Sequence, residues 1–134
     1  IYKGRIVNVL PGMDAAFIDI GQEKNALLYV GDLEFADRFS TERAPSIEEI
    51  LKPNQWLIVQ IARPAVGTKG ARVTQRFSLP GRFIVLMTGS DNVGVSRRIE
   101  NADERERLRR IIERVRPLDH GIIVRTEAEG ASES

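Results

Sequence analysis

The strongest constraint on the fold is a series of short β-rich runs, packed close together and separated by turn residues, at the start of the chain. Ile1–Leu10 is rich in β-branched residues and is followed by Pro11-Gly12-Met13-Asp14, where Pro and Gly preset the backbone for a turn. In Ala15–Ile20 the residues alternate: Ala16, Ile18 and Ile20 share one face, and Ala15, Phe17 and Asp19 share the other. Gly21–Asn25 turns the chain again before a third short run, Ala26–Val30. Strands this short, joined this tightly, predict an antiparallel barrel or sandwich.

Residues 31–55 are polar and irregular, except for a short helix expected at Ile47–Leu51. Ser46 stands at its N-cap position and Glu49 three residues on, the capping-box spacing, and Pro53-Asn54 ends it. Trp56–Ile61 is a strongly apolar fourth strand, Pro64–Gly70 a glycine-bearing loop, and Ala71–Phe77 a fifth strand. Five strands interrupted between the third and fourth is the layout of a small OB-type barrel.

Leu79-Pro80-Gly81 reads as a boundary. Beyond it, Arg82–Met87 is β-like, Thr88–Gly94 is a loop, and Val95–Ile99 leads into the clearest helix of the chain. Asn101 is a good N-cap, with Glu104 at the favourable spacing, and Leu108, Ile111, Ile112 and Val115 recur on one helical face until Pro117. Gly121–Thr126 is a last apolar strand. Residues 81–126 therefore read as strand, helix, strand.

With 134 residues, the chain suits one domain, or one small barrel with a partial second unit. Aromatic residues are only 6%, so the core must be built from Ile, Val, Leu and Ala. There is no cysteine, which excludes disulfides and thiolate metal sites. A single histidine, His120, makes a His-based metal site or a Ser-His-Asp triad improbable. No apolar run approaches the length of a bilayer span and no signal peptide opens the chain, so a cytoplasmic setting is expected. The first residue is Ile1 rather than Met, and the chain is read as part of a larger protein.

The formal net charge of +1 hides a segregation. Between Glu49 and Asp91 there is no acidic residue, and Lys52, Arg63, Lys69, Arg72, Arg76 and Arg82 give that window six positive charges. The preceding stretch is acidic, with Asp32, Glu34, Asp37, Glu42, Glu48 and Glu49 against Arg38 and Arg43. A basic segment can track a polyanion by displacing its condensed counterions, or can simply be a solvated face.

Individual residues sharpen this reading. Gly67-Thr68-Lys69-Gly70 allows close backbone approach and offers a cation for a phosphate, although it lacks the P-loop order. Taken alone it is a hairpin loop. Phe17, on the face opposite Ile18, would be a stacking platform for bases if exposed, against the commoner fate of a core Phe. Trp56 is expected to be structural. Arg125-Thr126, at a strand end, pairs a guanidinium fork with a hydroxyl, well shaped for a terminal phosphate. Arg97-Arg98 is a weaker candidate of the same kind. The Glu/Arg-rich helix favours intrahelical pairs over an RNA-binding surface. No carboxylate pair stands out as a catalytic dyad.

Together these segments resemble the ribonuclease E/G family. The resemblance is carried by Ile1-Tyr2-Lys3-Gly4-Arg5-Ile6, Pro11-Gly12-Met13, Ala15–Gly21, Gly67–Ala71, Ser78–Arg82, Val85-Leu86-Met87, Ser96–Ile99 and Ile123–Thr126, in order along nearly the whole chain. It implies an architecture mainly β with some α: a five-stranded OB-fold barrel of S1 type over 1–78, then a β-α-β segment over 79–134 that senses the RNA 5′ end and is part of an RNase H-like unit. It implies that Phe17 and Lys69 hold single-stranded RNA and that Gly81, Val85, Arg97, Arg125 and Thr126 form a 5′-monophosphate pocket. A second S1 aromatic of some members aligns with Leu27, which cannot stack a base. The family's magnesium-binding carboxylates and zinc-linking cysteines would lie outside this chain. The piece would thus bind 5′-monophosphorylated single-stranded RNA without cofactors of its own, within a hydrolytic endoribonuclease of RNA processing and decay. An exposed apolar edge over 81–134 would allow homo-oligomers. The alternatives are a stand-alone S1-type module with no nuclease and a barrel used only for protein contacts.

Overall fold

The computed structural model describes residues 1–33 and 46–133. The remainder of the polar stretch, 34–45, with the acidic residues Glu34, Asp37 and Glu42, lies outside the described residues. The chain divides into two compact units, Ile1–Arg76 and Phe77–Ser134.

The first unit is a closed five-stranded barrel. Its strands are β1 (Tyr2–Leu10), β2 (Ala15–Asp19), β3 (Ala26–Tyr29), β4 (Trp56–Arg63) and β5 (Arg72–Thr74). They close in the order β1-β2-β3-β5-β4, with β3 and β5 parallel and the other pairs antiparallel. In β2 the alternation holds from Ala16 onward, with Ala16, Ile18 and Ile20 buried and Phe17 exposed, while Ala15, expected on the Phe17 face, is buried as well. The turn after β1 is a 3-10 turn at Pro11–Met13, closed by Asp14 in the left-handed region (φ 49°). The interior holds Ile6, Ile18, Leu28, Val59 and Val73, all fully buried, and each such side chain contributes about 1.5–3 kcal/mol. A single-turn helix, α1 (Ile47–Ile50), plugs this core with Ile47, and the Glu49 carboxylate accepts from the Ser46 backbone N–H at 3.0 Å.

Trp56 departs from expectation. On β4 the inward positions are Leu57, Val59 and Ile61, so strand parity turns Trp56 and Ile58 outward. The indole is 56% exposed, and the Lys3 ammonium lies 5.2 Å from the ring centre.

Two glycines stand where a side chain would collide with a neighbouring strand or turn. A Cβ on Gly4 would lie 2.4 Å from Ile18 Cγ2, and one on Gly70 would lie 2.1 Å from the Asn25 carbonyl oxygen.

The second unit is a four-stranded sheet ordered β6-β7-β9-β8, from β6 (Ser78–Pro80), β7 (Ile84–Thr88), β8 (Val93–Val95) and β9 (His120–Val124). One more helix, α2 (Ala102–Val115), joins β8 to the parallel β9 and covers one face with Leu108 and Ile112. Strand, helix, strand therefore omits both edge strands. Pro80 sits on the edge strand β6, where its missing N–H leaves no ladder bond unmade. Val93–Val95 lies partly inside the expected loop and offers only three residues of pattern.

The helix begins where its cap requires, with Asn101 Oδ1 accepting from the Glu104 N–H at 3.0 Å. Val115 is exposed, so the apolar stripe is narrower than its spacing suggests. Two of the expected intrahelical pairs form, Glu104–Arg107 and Glu106–Arg110. Arg107 also donates to the Ala131 carbonyl, and the Gly130 N–H donates to Glu104, tying the C-terminal segment to the helix. The Arg107 guanidinium, then the Gly130 N–H, hold the Glu104 carboxyl down from 4.5 to about 2.

Two predictions follow from these contacts. Gly70→Ala forces a methyl against a fixed carbonyl and should cost about 1–3 kcal/mol, read as a lower urea midpoint for the barrel. Glu104 holds its proton less tightly folded than unfolded, so its stabilisation is complete above pH 4.5 and is lost as pH falls toward about 2. Glu104→Gln should therefore flatten the decline of melting temperature with acid across that window, and a decline as steep as in the wild type would refute the assignment.

Candidate functional site

In the barrel, strand pairing sets a row of outward positions. Phe17 on β2 pairs with Leu27 on β3, Leu27 with Arg72 on β5, and Arg72 with Arg63 on β4. Pleating puts directly opposed residues on one face, so the row crosses the outside of the barrel without entering the core. It forms the floor of an open groove of about 730 Å³. Asn25, Tyr29 and the 64–70 loop complete the lining, the loop through Pro64, Val66, Thr68, Lys69 and Gly70.

The loop owes its shape to local bonds. Val66 and Lys69 exchange backbone hydrogen bonds (3.1 and 2.9 Å), which makes Gly67-Thr68 a two-residue hairpin turn. Gly67 takes the positive φ (56°) that such a turn needs at its first central position. Lys24 Nζ donates to the Gly67 carbonyl, and Gly70 lies flat on Asn25. Lys69 is thereby presented, exposed, at the groove wall. Phe17, 36% exposed, offers ring surface on the floor.

Arg72 is more constrained. Its Nε and Nη2 donate to Asp32 Oδ2 at 3.1 and 2.8 Å, and its guanidinium lies over the Tyr29 ring, 4.8 Å from the centroid. Sequence reasoning placed Arg63 and Arg72 in a basic segment but not on this row, and it missed Tyr29. Strand parity held the signal, since Tyr29 shares a face with Leu27.

In the second unit the expected pocket residues gather at one end of the sheet. β9 runs out at Arg125 and Thr126, the parallel β8 runs out at Ser96 and Arg97, and the antiparallel β7 begins just after Gly81. Arg125 Nη1 donates to the Gly81 carbonyl at 2.6 Å, and the Arg125 N–H to the Phe83 carbonyl at 2.7 Å. The Thr126 and Ser96 hydroxyls are 2.8 Å apart. Val85 is half-buried, paired with Pro80 on one side and Ile123 on the other. Arg97 is exposed beside Ser96. Thus Gly81 joins Arg125, and Thr126 joins the Ser96-Arg97 corner.

Sequence reasoning also missed Arg105, one of the arginines of the Glu/Arg-rich helix. Its Nη1 donates to the carbonyls of Ser96 (2.6 Å) and Ile99 (3.1 Å), fixing the turn that carries Arg97. Arg82 stacks on Phe83 (5.1 Å to the centroid) in the β6–β7 turn, adding a cation near Gly81 in sequence.

Among the described residues, no group of three His, Asp or Glu side chains could hold a metal ion, and no helix is long and apolar enough to cross a membrane.

Comparison with known proteins bears on the whole chain. The model of the Ribonuclease E/G family matches residues 78–134. Ribonuclease G of Escherichia coli is 43% identical over 143 residues, covering 100% of this chain and 29% of that protein. Ribonuclease G of Haemophilus influenzae is 44% identical, covering 99% and 28%. Ribonuclease E of Nostoc sp. is 46% identical over 134 residues, covering 99% and 19%. The chain spans less than a third of the length of these relatives. The chain is thus similar to the ribonuclease E/G family, by the family's model over the second unit and by these relatives over both units.

Proposed function

We propose that this chain is the RNA-binding and 5′-end-reading portion of an endoribonuclease that cuts single-stranded RNA in RNA processing and decay. The barrel acts as its S1-type domain and the second unit as its 5′ sensor. The observation that carries the reading is the groove itself: an exposed Phe17 ring on the floor, with Arg63, Lys69 and Arg72 around it. Such a surface suits unpaired RNA, whose bases stack on aromatic faces while its phosphates meet cations. The kinship with proteins named ribonucleases favours this over a stand-alone module without a nuclease.

Each residue then has a task. Phe17 takes a base, and Lys69 neutralises a backbone phosphate. Arg125 and Arg97 supply charge to a 5′-monophosphate, and Thr126 supplies a hydroxyl donor. Gly81 and Val85 shape the wall, and the Gly81 carbonyl orients the Arg125 guanidinium. A monophosphate is a compact dianion that a guanidinium fork can grip; a triphosphate is bulkier and fits such a corner less well. Two modest sites on one chain reinforce each other through effective concentration. Magnesium for the cutting step would be held outside the described residues.

A 5′-monophosphorylated oligonucleotide should bind about tenfold more tightly than its 5′-hydroxyl twin, the worth of one charge-assisted hydrogen bond, in fluorescence anisotropy at fixed salt. Arg125→Ala should erase that difference while leaving the 5′-hydroxyl affinity in place. Equal affinities in the wild type would remove the sensor. Lys69→Ala should weaken both oligonucleotides by the same factor and lower the salt slope by about 1.

A further inference from the structure

The groove contains a second aromatic surface that the reading above leaves unused. Tyr29 lies on the same face of β3 as Leu27 and lines the groove. The Arg72 guanidinium lies over its ring at 4.8 Å. That guanidinium is itself fixed through Nε and Nη2 to Asp32, a residue of the 3-10 turn that follows β3 directly. The fixed guanidinium thus packs against the ring, and the ring borders the groove.

Position supports a partnership with Phe17. Phe17 pairs directly with Leu27, and Tyr29 is two residues further along the same strand, a diagonal neighbour at about 7–8 Å. Diagonal neighbours at that separation are within reach of aromatic side chains and suit successive bases of an extended strand. Leu27, between them, has no π-face and fills the floor.

Resting on the reading of the groove as a single-strand site, we infer that the Tyr29–Arg72 stack is a second nucleobase platform, so that the barrel holds two adjacent unstacked bases, one on Phe17 and one on Tyr29. Packing against the fixed guanidinium lowers the ordering cost of the Tyr29 contact. Because Arg72 is paired with Asp32, the platform works through its surface rather than by displacing counterions.

The test uses the wild-type chain and three variants, Tyr29→Leu, Tyr29→Phe and Phe17→Leu, with 3′-fluorescein-labelled decauridine carrying a 5′-hydroxyl, titrated at several salt concentrations. Tyr29→Leu should weaken binding about fivefold or more, as loss of a stacked base does, with the salt slope unchanged. Tyr29→Phe should stay within about twofold of wild type. Wild-type affinity in Tyr29→Leu overturns the inference and leaves the groove reading standing, provided that Phe17→Leu still weakens binding. A loss in Tyr29→Phe as large as in Tyr29→Leu also overturns it, since the hydroxyl would then carry the effect. If the wild type fails to bind at low salt, the groove reading falls and the inference with it. Photo-crosslinking of the wild-type chain to 4-thiouridine RNA gives a readout independent of variant folding. Adducts on both the Phe17 and the Tyr29 peptides support two platforms, and adducts on the Phe17 peptide alone overturn the second.

Discussion

The Leu27 N–H donates to the Ala71 carbonyl at 2.8 Å, and from that bond β3 and β5 run parallel. This is the one parallel contact in the ring, and it is what closes the barrel. Were it open, the strands would form one sheet ordered β3-β2-β1-β4-β5, with Leu27 on one edge strand and Arg72 on the opposite one. Closure sets an aromatic beside guanidinium groups that come from a segment some 45 residues later, as Arg72 is from Leu27. The same contact explains the demand for small residues nearby. Ala71 is buried and Gly70 sits on the Asn25 carbonyl, so the loop bearing Lys69 meets the barrel with no side chain in between.

The second unit solves a different problem with the same means. Its sheet ends place three chain segments together: the exit of β9, the exit of β8 and the turn before β7. The cluster is held by backbone carbonyls taking side-chain donors. Gly81 accepts from Arg125, and Ser96 and Ile99 accept from Arg105. Carbonyl acceptors orient arginines without neutralising them. The corner therefore keeps its positive charge, whereas a carboxylate in the same place would cancel it.

Much of this was legible from local pattern. The turn residues at 11–14, the alternation that exposes Phe17 and the Asn101 cap each depend on neighbours in sequence, and each appears where the residues indicate. What escaped depends on neighbours in space. The strands β6 and β8 have three residues each, too few for a period of two to show, and both exist because β7 and β9 offer them edges. Trp56 was expected to be structural, while parity on β4, set by Val59, turns it outward. Arg105 resembled its solvated neighbours on α2; only the fold reveals the carbonyls beneath it. Arg125, Thr126 and Arg97 were candidates on their chemistry alone, while Gly81, Val85 and their union in one pocket came from resemblance, since nothing local in sequence joins segments so far apart.

Arg72 shows why counting charges along the chain misstates what a surface can do. It belongs to the acid-free window that suggested a polyanion-binding face, yet Asp32, from the acidic stretch before that window, holds it at 2.8 Å. The pair is close to neutral, so a passing phosphate gains little from it, and its counterions are already displaced. Lys69 is exposed on the loop and Arg63 on β4, so the salt-dependent part of any affinity must come mainly from them. What remains to Arg72 is geometry: a flat cation fixed over Tyr29. Stacking of this kind persists when salt screens the phosphates. A groove built from both kinds of contact would attract a strand by charge and retain it by surface, and the two contributions separate by their response to ionic strength.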